Sequence, residues 1–490
     1  MPQKLTPPRG RRAQRARGQA VIWLLSTLAA SAVVLYAVFS FGQLSVGKQR
    51  AVNGADAAAL AGATAQARLL NLVAYTNRGM IANEVFLVQL VSVESWLQYI
   101  KRASGNLETV MDILSLIPPI APFAKAVAKV LDVVSDAAGE AHEFVRDKTI
   151  PKVISALELV KSGLKEAQEL VHAGGGLLAE SAAKSVVEAN RSNYGGRHDP
   201  GLTLADTGAV RAITFVANEK EWLNFSQLYS TKGSEREDAK HILVNSRDNF
   251  SASRPGAAWL NFSANLGIVT QGLVKQGGSR LEGYGRWEAQ DTLELYTHQN
   301  FCPKDCDTYL PLGWGRSNVD EDGSNGGVWS PGRTAQELAH SDGGTHKKWS
   351  GVPELYDIKN KAVAQREQLG LDFLVAVSRA GANDFSSQGL GMGSKIDSPL
   401  GSPDLARKLE ANQHTAFAKA RVFFERPRRG LVNDFTAAPL WRPDAAKEYG
   451  SLYSPYWQAR LRDLSLAEKG ALITAMGLSP DKAIYTPGGQ

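Results

Sequence analysis

A chain of 490 residues with 43% hydrophobic and 21% charged side chains can bury a sizeable core in two or three structural units, which excludes a wholly disordered protein. Its net charge of +6 would suit a nucleic-acid binder, but Lys4, Arg9, Arg11, Arg12, Arg15, Arg17, Lys48 and Arg50 stand in the first 50 residues with no Asp or Glu among them. The remainder holds 47 Lys and Arg against 49 Asp and Glu, and a body so near neutrality argues against a nucleic-acid surface.

The basic tail ends at Arg17, and residues 18–47 carry no charge. The run "QAVIWLLSTLAASAVVLYAVFSFG" exceeds the roughly 20 helical residues that cross a hydrocarbon core of about 30 Å, so residues 20–41 are read as a transmembrane helix. A cleaved signal peptide has a shorter apolar region of about 7 to 15 residues. The small "AASA" at 29–32 also lies too deep in the run to serve as its cleavage site. Six basic residues before the span, against Lys48 and Arg50 after it, put the N-terminus in the cytoplasm and everything beyond residue 48 outside it.

"NGADAAALAGA" (residues 53–63) follows. Gly54, Ala58 and Gly62 recur at four-residue spacing, so one helix face is nearly without side chains and another helix could approach its backbone closely. Ala is also the best helix former, and the stretch could be a neutral extension of the span. The residues alone leave both readings open.

Residues 65–191 are helical by pattern, with expected breaks at "LIPPIAPF" (116–123) and at 174–176. The uncharged stretch 113–124 is too short and too rich in proline for a second span and reads as a hairpin tip. From Ile150 onward, Val153, Leu157, Val160, Leu164, Ala167 and Val171 alternate spacings of three and four, which predicts a helix lying back along the first.

Beyond residue 193, Gly, Trp, Tyr and Asp become frequent, and strand-like runs such as 287–296 and 371–377 alternate with turn-rich loops. Residues 204–225 and 403–420 read as helix. Residues 313–351, with many Gly, Ser and Asp, read as an irregular exposed insertion. The expected fold class is α+β: an N-terminal transmembrane helix continuing into a long helical region, then a C-terminal α+β globular domain with a mostly antiparallel sheet. The expected divisions are a basic tail (1–18), the span (19–42), a helical region with a hairpin (43–191) and the α+β domain (202–490).

Cys302 and Cys306 are the only cysteines, and an exported compartment permits a disulfide closing a small loop between them. A metal site built from His298, Cys302 and Cys306 would need a helix that Pro303 opposes, and zinc would still lack a fourth ligand. Asn318, Asp320 and Asp322 before Gly323 resemble the first half of a calcium loop, but Trp329 stands where the bidentate Glu belongs. "GLGMGS" (389–394) lacks the Lys-Ser or Lys-Thr of a phosphate loop, and "RPRRG" (426–430) reads as a solvated basic turn. His340 and His346 form no H-E-x-x-H, and no G-x-S-x-G occurs. No catalytic, cofactor-binding or metal-ligating residue is assigned, and no cofactor is expected.

The basic tail, "RGQA" (17–20), the apolar span, "KQRAVNGADAAALAGA" (48–63) and "ARLLNLVAYTNRGMIANE" (67–84) together resemble the N-terminal segment of Flp/Tad pilus-assembly proteins of the TadE/TadG-like family. "SPYWQARL" (454–461) is similar to the endings of long members of that group. The resemblance implies a bacterial protein held in the inner membrane by an N-terminal helix that can pack into a bundle, with the rest in the periplasm, and it favours the packing reading of Gly54, Ala58 and Gly62. It implies other pilin-like or pilus-assembly membrane proteins and inner-membrane lipid as partners; the near-neutral body, on its charge alone, argues against nucleic acid.

The sequence departs from the group in two places. Processed pilin-like proteins are cut after a Gly that precedes the apolar run, with a Glu five positions beyond; after Gly18 that position is Trp23. Some long members carry a von Willebrand-type domain with D-x-S-x-S, which does not occur here. The expected function is a non-enzymatic, membrane-anchored component of pilus assembly, either minor pilin-like or an assembly factor. Its alternatives are a tethered periplasmic hydrolase, in which His298, His340 or His346 would meet acids in a cleft, and an anchored adhesive module exposing Trp314 and Trp329.

Overall fold

In the computed structural model, residues 17–191, 201–206, 208–229, 237–256, 263–302, 307–322, 334–359, 369–380, 413–426, 449–476 and 483–485 are described. One helix, α1 (Arg17–Leu114), runs without interruption for 98 residues, about 150 Å at the usual rise per residue. Its first part, Ala20–Phe39, has a mean hydropathy of 2.2 and no residue buried, whereas half of the later apolar part is buried. Among the described residues the helix is therefore two things in sequence: an apolar rod with nothing packed on it, then the spine of the body.

After the turn at 115–120, α2 (Ala121–Glu143) returns along α1. It passes through a π-helical turn, Phe144–Thr149, into α3 (Ile150–Arg191). Pro151 accounts for the turn, since it has no N–H to offer the carbonyl four residues back, and Ile150 N–H reaches Val145 O instead.

α3 packs along α1 as its periodicity predicts, but on a rotated seam. Ile154 and Gln168 are buried where Val153 and Ala167 were expected to lead, and Val160 is exposed. The expected break at 174–176 does not occur. Those glycines make room instead: a Cβ on Gly175 would overlap the Trp222 ring, and one on Gly176 would lie 3.2 Å from the Glu219 Cα.

The strand-rich part begins with β1 (Leu202–Leu204) and helical turns over Gly208–Arg211, Ala212–Val216 and Ala217–Phe225. Then come β2 (Ser226–Tyr229), the helices Glu237–Asn245 and Asn249–Ala252, and β3 (Ser263–Asn265). The long strands β4 (Val269–Glu282), β5 (Arg286–Gln299) and β6 (Asp307–Asp320) form an antiparallel meander. β3 extends one edge of it, and β7 (Gly344–His346) adds a parallel pairing at the other.

β8 (Leu355–Ile358) pairs β2. A second sheet takes the order β1, β9 (Gly370–Ala380), β10 (Gln413–Phe424) and β11 (Trp457–Arg462), with β12 (Ala483–Tyr485) parallel to β10. The fold is α+β with mostly antiparallel sheets.

Two further expectations fail. Residues 413–424 form a strand, not the end of a helix; Ala416, Ala418 and Ala420 point into the core on α1 while Phe417 packs on the opposite face, towards Leu472. Covered on both sides, this strand shows no simple alternation. Residues 313–320 are likewise the buried half of β6, with a helix at Thr334–Asp342 and β7 following, rather than an irregular insertion. Their polar composition misleads because α1 supplies the partners.

Both large cores are shared with the helices. Ala51, Ala55, Ala58, Ala59, Ala63, Ala67 and Leu70 of α1 meet Phe373, Val375, Val377 and the alanines of β10, with Ala179 and Ala183 of α3 completing the cluster. Further along, Met80, Leu87, Val88 and Val91 meet Ile150, Ile154, Trp287, Val319 and Trp349.

Candidate interaction surfaces on the first helix

The small-residue face of α1 is occupied from within the chain. A Cβ on Gly62 would overlap the buried Phe373 ring, one on Gly54 would sit 3.0 Å from Leu202 Cδ2, and Ala58 is fully buried. A sheet and α3 approach here, where the sequence reading expected an unspecified helix. The corresponding close approach on the other sheet comes from the strand. Cβ atoms on Gly313 and Gly315 of β6 would strike Ala103 and the α1 backbone at Ser95 and Tyr99.

Polar side chains on the buried side of α1 hold the strand-rich part in register. Asn71 Nδ2 donates to Trp457 O, and Trp457 N–H donates to Asn71 Oδ1, both at 3.0 Å. Asn77 Nδ2 donates to Tyr356 O and Leu452 O at 2.8 Å, while Gln168 Nε2 donates to Asn77 Oδ1 at 2.7 Å. Arg78 Nε donates to Tyr453 O at 2.6 Å. The "NLVAYTNRG" and "SPYWQARL" segments that carry the family resemblance therefore meet across the fold.

Further along, buried Glu84 accepts from Trp287 Nε1 at 3.2 Å and Trp349 Nε1 at 3.3 Å. Burial pushes its carboxyl up to about 7, against the lowering effects of Lys161 and the two indoles. Ser95 Oγ donates to Asp291 Oδ2 at 2.8 Å. Arg254 and Lys275 close on the same carboxylate at 2.8 Å each, and burial lowers the Lys275 pKa. Arg316 pairs with Glu288 at 2.9 Å, fully out of water, while Gln98 Oε1 accepts the Arg316 N–H.

The candidate chemical groups are placed as follows. His298 pairs with Asp307 at 2.7 Å on the surface. His346 Nε2 lies 2.6 Å from Glu94 Oε2, to which Ser317 Oγ donates at 2.5 Å. In that trio the serine faces the carboxylate rather than the imidazole, and all three are buried, so neither the order nor the access suits nucleophilic catalysis. His142 Nε2 stands 3.8 Å from Glu94 Oε1; burial lowers its pKa, opposed by Glu94.

His340 contributes its carbonyl to Arg316. Asn318 is buried within β6, and Asp320 is held by Arg286 and caps the Asp322 N–H, so these residues form part of a strand end rather than a loop. Among the described residues, no cluster of His, Cys, Asp and Glu could hold a metal ion. Trp314 Nε1 donates to Asp342 Oδ2, and Arg102 stacks over its ring. Cys302 lies just past β5, whereas Cys306, Gly323, Trp329, "GLGMGS" and residues 427–430 lie outside the described residues.

Sequence reading missed Asn71, Asn77, Glu84, Glu94 and Ser95. A partial signal was present: Asn77, Glu84 and Ser95 are 7 and 11 residues apart, each close to a whole number of turns, so they share one face of the helix with Leu70, Val88 and Val91.

A body built on a single long helix, with an uncovered apolar N-terminal segment, is the class of protein that this fold defines. Residues 18–65 match the model of the Tad family, Flp pilus-assembly TadE/G-like. The match takes in the exposed apolar segment and the small-residue stretch, and supports involvement in Flp/Tad pilus assembly. No curated protein and no solved structure matches the chain.

Proposed function

We propose that the chain is a non-enzymatic, single-pass component of Flp/Tad-type pilus assembly, anchored in the bacterial inner membrane by residues 19–42, with its N-terminus in the cytoplasm and its body in the periplasm. The observation that carries this reading is the family match over 18–65, a segment that begins as an apolar span and continues unbroken into the helix on which the body is built. The basic tail before the span supports the orientation.

Trp23, Leu24, Leu28, Leu35 and Phe41 are exposed along the span, with no other part of the described chain packed on them. Lipid and the helices of other pilus-assembly membrane proteins are their partners in this reading. Gly54, Ala58 and Gly62 serve packing within the chain, so lateral contacts belong to the span and to the open side of α1.

The test is to tag the C-terminus, express the chain with the pilus machinery, and compare sheared surface fibres with the inner membrane. Retention in the membrane at full length supports an assembly factor. Recovery in fibres, lighter by the first 18 residues, supports a minor pilin despite Trp23. A soluble periplasmic chain, or pili unaffected by deletion of the protein, overturns the reading.

A further inference from the structure

The α1–α2 hairpin ends in an apolar tip that the other described residues leave uncovered. Beyond Asn106, whose Nδ2 donates to Leu312 O at 2.9 Å, the hydrophobic cores recruit no described residue until Val145. The two helices run on past the strands as a finger. Its end, residues 113–124, holds no charge. Leu116 is 80% exposed, Phe123 70% and Ile113 62%, and Ile117 and Ile120 join them in one patch.

Beneath the patch stands an acidic collar. Glu108 and Asp112 of α1 lie close to Asp132 and Asp136 of α2; desolvation and then these three neighbours raise the Glu108 pKa. The ion pairs of this region are Lys101–Glu143 and Arg146–Asp147, and none of the four collar carboxylates has an ion-pair partner among the described residues. Lys125 and Lys129, on the same arm, reach none of them within ion-pair distance.

We propose that this tip is a docking knob for a protein whose socket has an apolar floor and a rim of Lys or Arg. The charge selects that occupant. Unneutralised carboxylates complement a cationic rim, repel an anionic lipid surface, and repel the identical collar of a second copy. Reach points the same way: Leu114 lies 75 residues beyond Phe39 on one helix, about 110 Å along its axis, so the bilayer holding the span is not what the tip meets. An apolar centre within a charged rim is also the usual anatomy of a specific protein interface. The inference rests on the pilus-assembly reading for where the partner is sought and, in the argument from reach, for the membrane span.

The test places a photoreactive phenylalanine analogue at Phe123 of the full-length chain in cells assembling the pilus. The expected result is one discrete protein adduct, lost about tenfold or more on Leu116→Asp and on the double reversal Glu108→Lys with Asp132→Lys, and unchanged by Glu169→Lys on α3. An adduct of two copies, label recovered on lipid, an adduct indifferent to collar reversal, or no adduct would each overturn the knob. Membrane fractionation of the same cells reads the anchoring separately: a chain that stays in the membrane and gives no adduct refutes the knob alone.

Discussion

Asn71 and Trp457, 386 residues apart, exchange two hydrogen bonds of 3.0 Å, so that one amide side chain on a helix pairs with the backbone of an edge strand as a neighbouring strand would. The contact fixes where β11 sits along α1. Asn71→Ala leaves Trp457 N–H and C=O without these partners and is expected to cost about 1–3 kcal/mol. Thermal unfolding of the detergent-solubilised chain should show a lower midpoint, with earlier proteolysis near residue 457. An unchanged midpoint would mean that water replaces the amide at no cost.

Gly62 abuts the buried Phe373 ring, whereas Gly42 has open space around it. Gly62→Ala should therefore destabilise the body by about 1–3 kcal/mol through overpacking, despite the better helix propensity of Ala. Gly42→Ala should leave the unfolding midpoint unchanged or slightly raised. Equal behaviour of the two variants would show that the sheet does not pack on this face.

Glu84 is predicted to make stability depend on pH. Its carboxyl is raised from 4.5 to about 7, so between those values the folded chain binds the proton more tightly than the unfolded chain. The contribution is full below about pH 4.5 and is lost as pH rises through 7, with a size of about 3 kcal/mol. Urea unfolding at pH 5 and pH 8 should show the loss. Glu84→Gln should flatten that difference and also lower stability at pH 5, because its amide N–H₂ would face an indole donor.

Asp291 balances Arg254 and Lys275 in a site closed to water. Asp291→Asn would strand two buried cations and is expected to cost about 3–5 kcal/mol. Adding Lys275→Met should recover part of that loss, and a double-mutant cycle by chemical denaturation measures the coupling.

The proposed Cys302–Cys306 disulfide has a simple check. Unfolded, unreduced protein should take up no thiol label, and reduced protein should take up two. Labelling of both cysteines before reduction would remove the disulfide from the description.

The apolar helical segment, the hairpin tip and the return of α3 along α1 were legible because each depends on local pattern: an uncharged run, a proline-rich turn, a repeat of three and four. The α3 seam was misplaced by one residue because Gln168 is buried, and a buried glutamine cannot be recognised until Thr76 and Asn77 are seen to accept from it. The glycines at 174–176 were misjudged for a similar reason: whether glycine ends a helix or admits a neighbour depends on the neighbour, here Trp222 and Glu219.

By itself, the sequence determined that the chain begins with a basic tail and an apolar segment long enough to span a bilayer, and that α+β structure follows. Only the tertiary structure decided what the small face is for and why so many polar groups lie inside. Period and hydropathy report how a residue relates to solvent along one element. The partners of Gly62, Asn71 and Glu84 come from positions hundreds of residues away, and nothing in their local spacing encodes which strand will arrive.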